Sequence, residues 1–109
     1  MINFEDFNKI DIRVGQIIKV EKLPNAKTTT HKLTIDFGNA IGIKQSCARV
    51  VNYTNEELIG KRIIGVINLP PKQIGQNMSE VFTVGLPDAN GECVLVSPDK
   101  DVPLGGRLY

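Results

Sequence analysis

From Ile10 onward, apolar residues recur at every second position in short runs, each stopped by glycine, proline, asparagine or a polar cluster. No other feature constrains the fold as tightly. A period of two lines one face of a strand, and runs this short cannot supply the apolar stripe of a long helix. Ile10, Ile12, Val14, Ile18 and Val20 share a phase, with Asp11, Arg13, Lys19 and Glu21 mostly opposite. Gly15 falls mid-run, where a long strand can bend round a barrel corner. LPNAKTTT then reads as a polar loop.

Two short segments break the strand pattern. At the N-terminus Asn3 can cap a helix that places Phe4 and Phe7 on one face, with Asp6 three residues after the cap. In TNEELIG, Thr54 with Glu57 makes a capping-box pattern and Gly60 can end the turn. KRIIGVINL, apolar on both faces, reads as a central strand until Pro70 and Pro71 remove two backbone donors and end its ladder. EVFTVGL and ECVLV follow, separated by the turn sequence PDANG. Five strands with a helical insertion between the third and fourth is the element order of an all-β OB-fold barrel, one domain over residues 1–109. An SH3-like barrel or a small sandwich can hold the same strands.

HKLTIDF and AIGIKQSCA form a hairpin with an arguable register. A two-residue turn at Gly38 and Asn39 would pair Phe37 with Ala40 and set Leu33 beside Lys44, mixing the faces. A three-residue turn over Gly38, Asn39 and Ala40 pairs Phe37 with Ile41 and Ile35 with Ile43. This second register keeps one face apolar and gathers Lys32, Thr34, Lys44 and Ser46 on the other. Strands two and three form the common oligonucleotide face of OB barrels. A polar outward face is also what any half-exposed antiparallel sheet needs.

Charge limits the partners. Thirteen Lys and Arg against twelve Asp and Glu leave a net charge of +1, so a polyanion can be held only by basic groups gathered on one face. The acidic N-terminus lacks the apolar core of a signal peptide, and no run is long enough to span a bilayer. Cys47 and Cys93 have no metal or redox spacing and read as buried free thiols of a reducing, cytoplasmic compartment. His31 is the only histidine, and no nucleophile, phosphate-loop or dinucleotide motif appears. The expectation is a binding protein without cofactor, metal, catalysis or membrane insertion.

KIDIRVGQI, the PNA and HKLTIDFG stretches, IGIKQSCA, LIGKRIIGVINLPPKQI and the following Ser-Glu resemble the tRNA-binding domain family. That OB-fold module occurs alone in secretion chaperones of the CsaA branch and at the C-terminus of some methionyl-tRNA synthetases. The resemblance runs from about Phe4 to the last residues. Three departures from the tRNA-binding members look like the CsaA branch. Lys27, Thr28, Thr29, Thr30 and His31 intervene before Lys32; Gln45-Ser46-Cys47-Ala48 replaces Ser-Gly-Ile; and Ser79-Glu80-Val81-Phe82 replaces Ser-Glu-Gly-Met.

The resemblance implies an export-related chaperone that binds unfolded or precursor polypeptides and is able to bind tRNA. A stand-alone tRNA-binding protein serving a synthetase in trans is the alternative, and an interaction adaptor on the same fold is a third. It further implies that Asn68, Lys72, Ser79 and Glu80 border the nucleic-acid face beside Lys32, Thr34, Lys44 and Ser46. Asn68 is placed to bond a base edge or the loop backbone. Val81 and Phe82 make that rim more apolar and are candidate polypeptide contacts, although alternation also allows Phe82 to join the core. A homodimer is expected, since two copies of a weak patch raise avidity. Phe4, Phe7, Val102, Leu104, Leu108 and Tyr109 are its candidate contacts, or else covers for the barrel's open ends.

Overall fold

The long period-two run becomes strand β1 (Ile12–Lys22), which serves two neighbours in turn. In the computed structural model, which describes residues 1–24 and 28–109, its first half pairs with β4 (Arg62–Val66) and its second with β2 (His31–Asp36). The change of partner carries a bulge: Ile17 lies opposite Ile35 but Lys19 opposite Thr34, leaving Ile18 unpaired. One extra residue reverses the side-chain phase. Gly15 and Ile17 face the interior before the bulge and Val20 after it, so Ile18 is left exposed, against the expectation that it shares the inward phase of Val20. Gly15 serves close approach rather than the bend. A Cβ there would stand 2.6 Å from Ile35 Cγ2 and 2.9 Å from the Phe37 ring.

The main sheet runs β3 (Ile43–Ala48), β2, β1, β4, β7 (Phe82–Thr83). Its ends approach each other, because Glu80 N–H donates to Gln45 O at 2.8 Å and Thr83 Oγ1 lies 2.8 Å from Ser46 Oγ. The result is a nearly closed antiparallel five-stranded barrel of the OB type. Ile17, Leu33, Ile35, Phe37, Leu58 and Ile63 fill it. As expected, Asn3 caps helix α1 (Phe4–Asn8), and Thr54 with Glu57 forms a complete capping box on α2 (Asn55–Leu58), between β3 and β4.

Beyond the prolines the chain is not loose. KQIGQNMS folds back as β5 (Lys72–Ile74) and β6 (Asn77–Ser79), with Gly75 at φ +60° in the turn. EVFTVGL is split between β7 and β8 (Gly85–Pro87), which pairs with β9 (Cys93–Leu95) across the PDANG turn. The proline- and glycine-rich tail is strapped to its own barrel. Gly105 and Gly106 exchange backbone hydrogen bonds with Val14, and Leu108 N–H donates to Ile12 O at 2.9 Å. Arg13 donates to Gly105 O at 2.9 Å, Arg62 to Val102 O, and Arg107 to Asn8 O at 2.8 Å. The tail thus occupies the edge of β1 that β2 leaves unpaired.

Candidate functional site

The β2–β3 register differs from the expected one by one residue. Ile35 lies opposite Lys44, Thr34 opposite Gln45, Leu33 opposite Ser46 and Lys32 opposite Cys47. The turn holds four residues, 38–41, closed by Phe37 N–H to Gly42 O at 3.0 Å and Gly42 N–H to Gly38 O at 2.7 Å. Gly38 and Gly42 both take positive φ, +89° and +91°, conformations that glycine adopts freely. Because the side-chain period is two, the slip turns every β3 residue to the other face. Lys32 and Thr34 remain outward. Ser46 is 1% exposed inside the barrel beside Thr83, and Lys44 shares its phase. The four residues expected together are two and two.

The outward face acquires other members. Past the bulge Lys19 stands opposite Thr34 and Glu21 opposite Lys32, with Gln45 and Cys47 alongside on β3. Lys19 Nζ is 3.3 Å from Glu21 Oε1, and Lys32 Nζ is 3.9 Å from Glu21 Oε2. Lys32 also donates to Asn77 Oδ1 at 3.3 Å, across to the β5–β6 hairpin, and its side chain is only 17% exposed. Period-two alternation already put Lys19 on the polar side with Glu21, but sequence reasoning did not single it out because its neighbours across the ladder, Thr34 and Lys32, depend on the β1–β2 register.

Ser79 and Glu80 finish the edge of β3. Ser79 Oγ accepts from Cys47 N–H at 2.9 Å, and Glu80 Oε2 from Gln45 N–H at 2.8 Å. Two side chains thereby take the donors that a sixth strand would otherwise have met. Ser79 and Glu80 also line a groove of about 550 Å³ with Pro70, Lys72, Ile74, Phe82, Leu86 and Pro87. Val81 belongs to the core and supports the groove floor, whereas Phe82 is 56% exposed. Arg49 at the groove is held by Glu92 through two hydrogen bonds of 3.0 and 3.1 Å. Among the described residues Lys72 has no acidic partner within 4.0 Å. Cys47 and Cys93 line the same groove half-buried, and burial pushes both thiols up, opposed at Cys47 by the Lys32 ammonium.

Other expected residues lie elsewhere. Asn68 donates to Lys9 O at 2.7 Å and accepts from Asp11 N–H at 2.8 Å, so its amide fastens the segment after α1 to the end of β4. Phe4 and Phe7 meet at a tilt of 51° with ring centroids 5.8 Å apart, and Phe4, Leu108 and Tyr109 are exposed. Val102 and Leu104 are half-buried along the strap. Burial and the Lys22 ammonium lower the pKa of His31, whose Nδ1 is 2.7 Å from Thr30 Oγ1. Lys27, in the stretch before Lys32, lies outside the described residues.

The chain as a whole has relatives of known structure. Residues 12–107 match the family described as "Putative tRNA binding domain". This chain belongs to the tRNA-binding domain family. The crystal structure of the CsaA chaperone protein from Picrophilus torridus is similar at a TM-score of 0.93 and 45% identity, covering 100% of both chains. Chaperone CsaA from Bacillus anthracis str. Ames is similar at 0.90 and 40%, covering 100% of this chain and 99% of that one. The methionine–tRNA ligase of Flavobacterium johnsoniae is 34% identical over 109 residues, 99% of this chain. The family member described here spans only 15% of that ligase's length.

Proposed function

We propose that this protein is a CsaA-like molecular chaperone associated with protein export, a cytoplasmic homodimer that binds unfolded or precursor polypeptides and also takes tRNA. It acts by binding, without cofactor or catalytic step. The observation that carries the reading is Phe82, a large aromatic left 56% exposed in a groove with Pro70, Leu86 and Pro87. Soluble proteins rarely leave contiguous apolar surface uncovered without a partner for it. The whole-length similarity to two CsaA chaperones supports the same reading. For the dimer, the support is that Phe4, Leu108 and Tyr109 are exposed while Arg107 ties the tail to α1 through Asn8 O. Its melting temperature should then rise with protein concentration. In the test of the groove, Phe82→Ser keeps its fold and loses affinity for an unfolded polypeptide. Binding at full strength by the folded variant would refute the groove.

A second reading has its own observation. The methionine–tRNA ligase matches 99% of this chain, and Lys19, Lys32 and Thr34 share one outward face. On this reading the protein binds tRNA in trans for a synthetase. Capture from cell lysate, split into RNA and protein fractions, separates the two.

A further inference from the structure

We infer that Glu21 sets the strength of RNA binding on the outward face of β1–β3 by neutralising its two lysines at once. The inference rests on the reading that this face takes RNA. One carboxylate serves two ammonium groups, with Oε1 3.3 Å from Lys19 Nζ and Oε2 3.9 Å from Lys32 Nζ. The placement follows from the fold. Glu21 lies directly opposite Lys32 across the β1–β2 ladder, and Lys19, just past the bulge and two residues before Glu21, shares its face. Asn77 holds Lys32 from the other side, at 3.3 Å, but it is neutral and leaves the charge uncancelled. Glu21 is therefore the acidic partner of both lysines among the described residues. A phosphate approaching either ammonium must compete with this carboxylate and meets its repulsion. The Lys19–Glu21 pair is exposed and such pairs are weak, so a phosphate can win there, at reduced affinity. Phosphate binding draws its strength from counterions released per contact, so a face with its lysines pre-neutralised gives a shallow salt dependence.

The experiment measures binding of a tRNA transcript across a salt series for wild type, Glu21→Gln, the Lys19→Ala/Lys32→Ala double variant, and the triple variant. Melting curves and polypeptide binding in the groove serve as controls. Glutamine keeps the shape and removes the charge. Glu21→Gln should tighten binding about three- to tenfold at low salt and steepen the slope of log K against log salt by about 0.7 to 1.8. The triple variant should show none of this gain, and polypeptide binding should not move. If the lysine variant weakens binding while Glu21→Gln matches wild type in affinity and slope, the inference is overturned and the face remains the RNA site. If the lysine variant binds as wild type does, the face is not the RNA site and both fail. A gain that survives in the triple variant also overturns it.

Discussion

The outward face of β1–β3 and the groove beside Phe82 meet along the edge of β3, yet they are built on opposite terms. On the face, charge is abundant but spoken for: Lys19 and Lys32 share Glu21, and Lys32 is additionally held by Asn77. The groove also carries charge, in Arg49, Lys72, Glu80 and Glu92, but much of its lining is apolar. Arg49 is held by Glu92, and an exposed aromatic ring lies among prolines and leucine. The difference matters for ligands. A face of paired ions binds a polyanion only through exchange of partners and loses that binding in salt. An apolar groove gains by removing surface from water, which salt does not screen. A chain of net charge +1 can host both because neither needs a strong overall field.

The largest effect should come from cutting the seam between the two regions. Ser79→Ala with Glu80→Ala leaves the N–H groups of Cys47 and Gln45 without acceptors, at a cost of about 1–3 kcal/mol each. Chemical denaturation measures it, and a loss below that of one hydrogen bond would mean that the barrel closes by other contacts. Next comes the contrast between neighbours. Val81→Ala should cost about 1.5–3 kcal/mol because Val81 is core, while Phe82→Ser should stay within about 0.5 kcal/mol. Equal losses would place Phe82 in the core and dissolve the groove as a separate region.

Lysine scanning sharpens the contrast further. Lys72→Ala should flatten the salt dependence of tRNA binding by about 0.7–0.9, Lys32→Ala by less because Glu21 already neutralises that ammonium, whereas Lys44→Ala, on the other side of β3, should leave the slope unchanged. A slope that answers to Lys44 instead would move the nucleic-acid site to the opposite face. The smallest effect concerns His31, at the start of β2. Burial and Lys22 depress its pKa below the usual value near 6.5, so the fold favours the neutral ring. Its contribution to stability is full above about pH 6.5 and is lost as pH falls through the lower folded value. His31→Gln should flatten the pH dependence of stability in that acid range, and an unchanged profile would assign the acid loss to other groups.

Much of the framework was legible from residue order. The Asn3 cap and the Thr54–Glu57 capping box depend on neighbours within three residues, and both form. The PDANG turn forms too, with Asp88 Oδ1 accepting from Asn90 and Glu92 N–H at 2.8 and 2.9 Å. The order of the first four strands along the chain and the helical insertion between the third and fourth followed from period and punctuation. The candidate site was less legible, because it depends on which way each side chain points. Ser46 was expected outside and lies inside, since the turn takes four residues instead of three. KQIGQNMS carries no strong strand signal, and it becomes a hairpin where Lys32 and Asn77 meet.

What the sequence by itself determined is therefore local and periodic: where strands begin and stop, which segments cap, how little net charge the chain carries, and which family its motifs resemble. Tertiary structure alone decided the phase of β1 up to Ile18, the register of β3, the pinning of Lys32 between Glu21 and Asn77, and the exposure of Phe82 beside a buried Val81. The physical reason is the same in each case. In a barrel, one residue added by a bulge or a turn reverses the facing of all that follow, and only the packed whole selects between those alternatives.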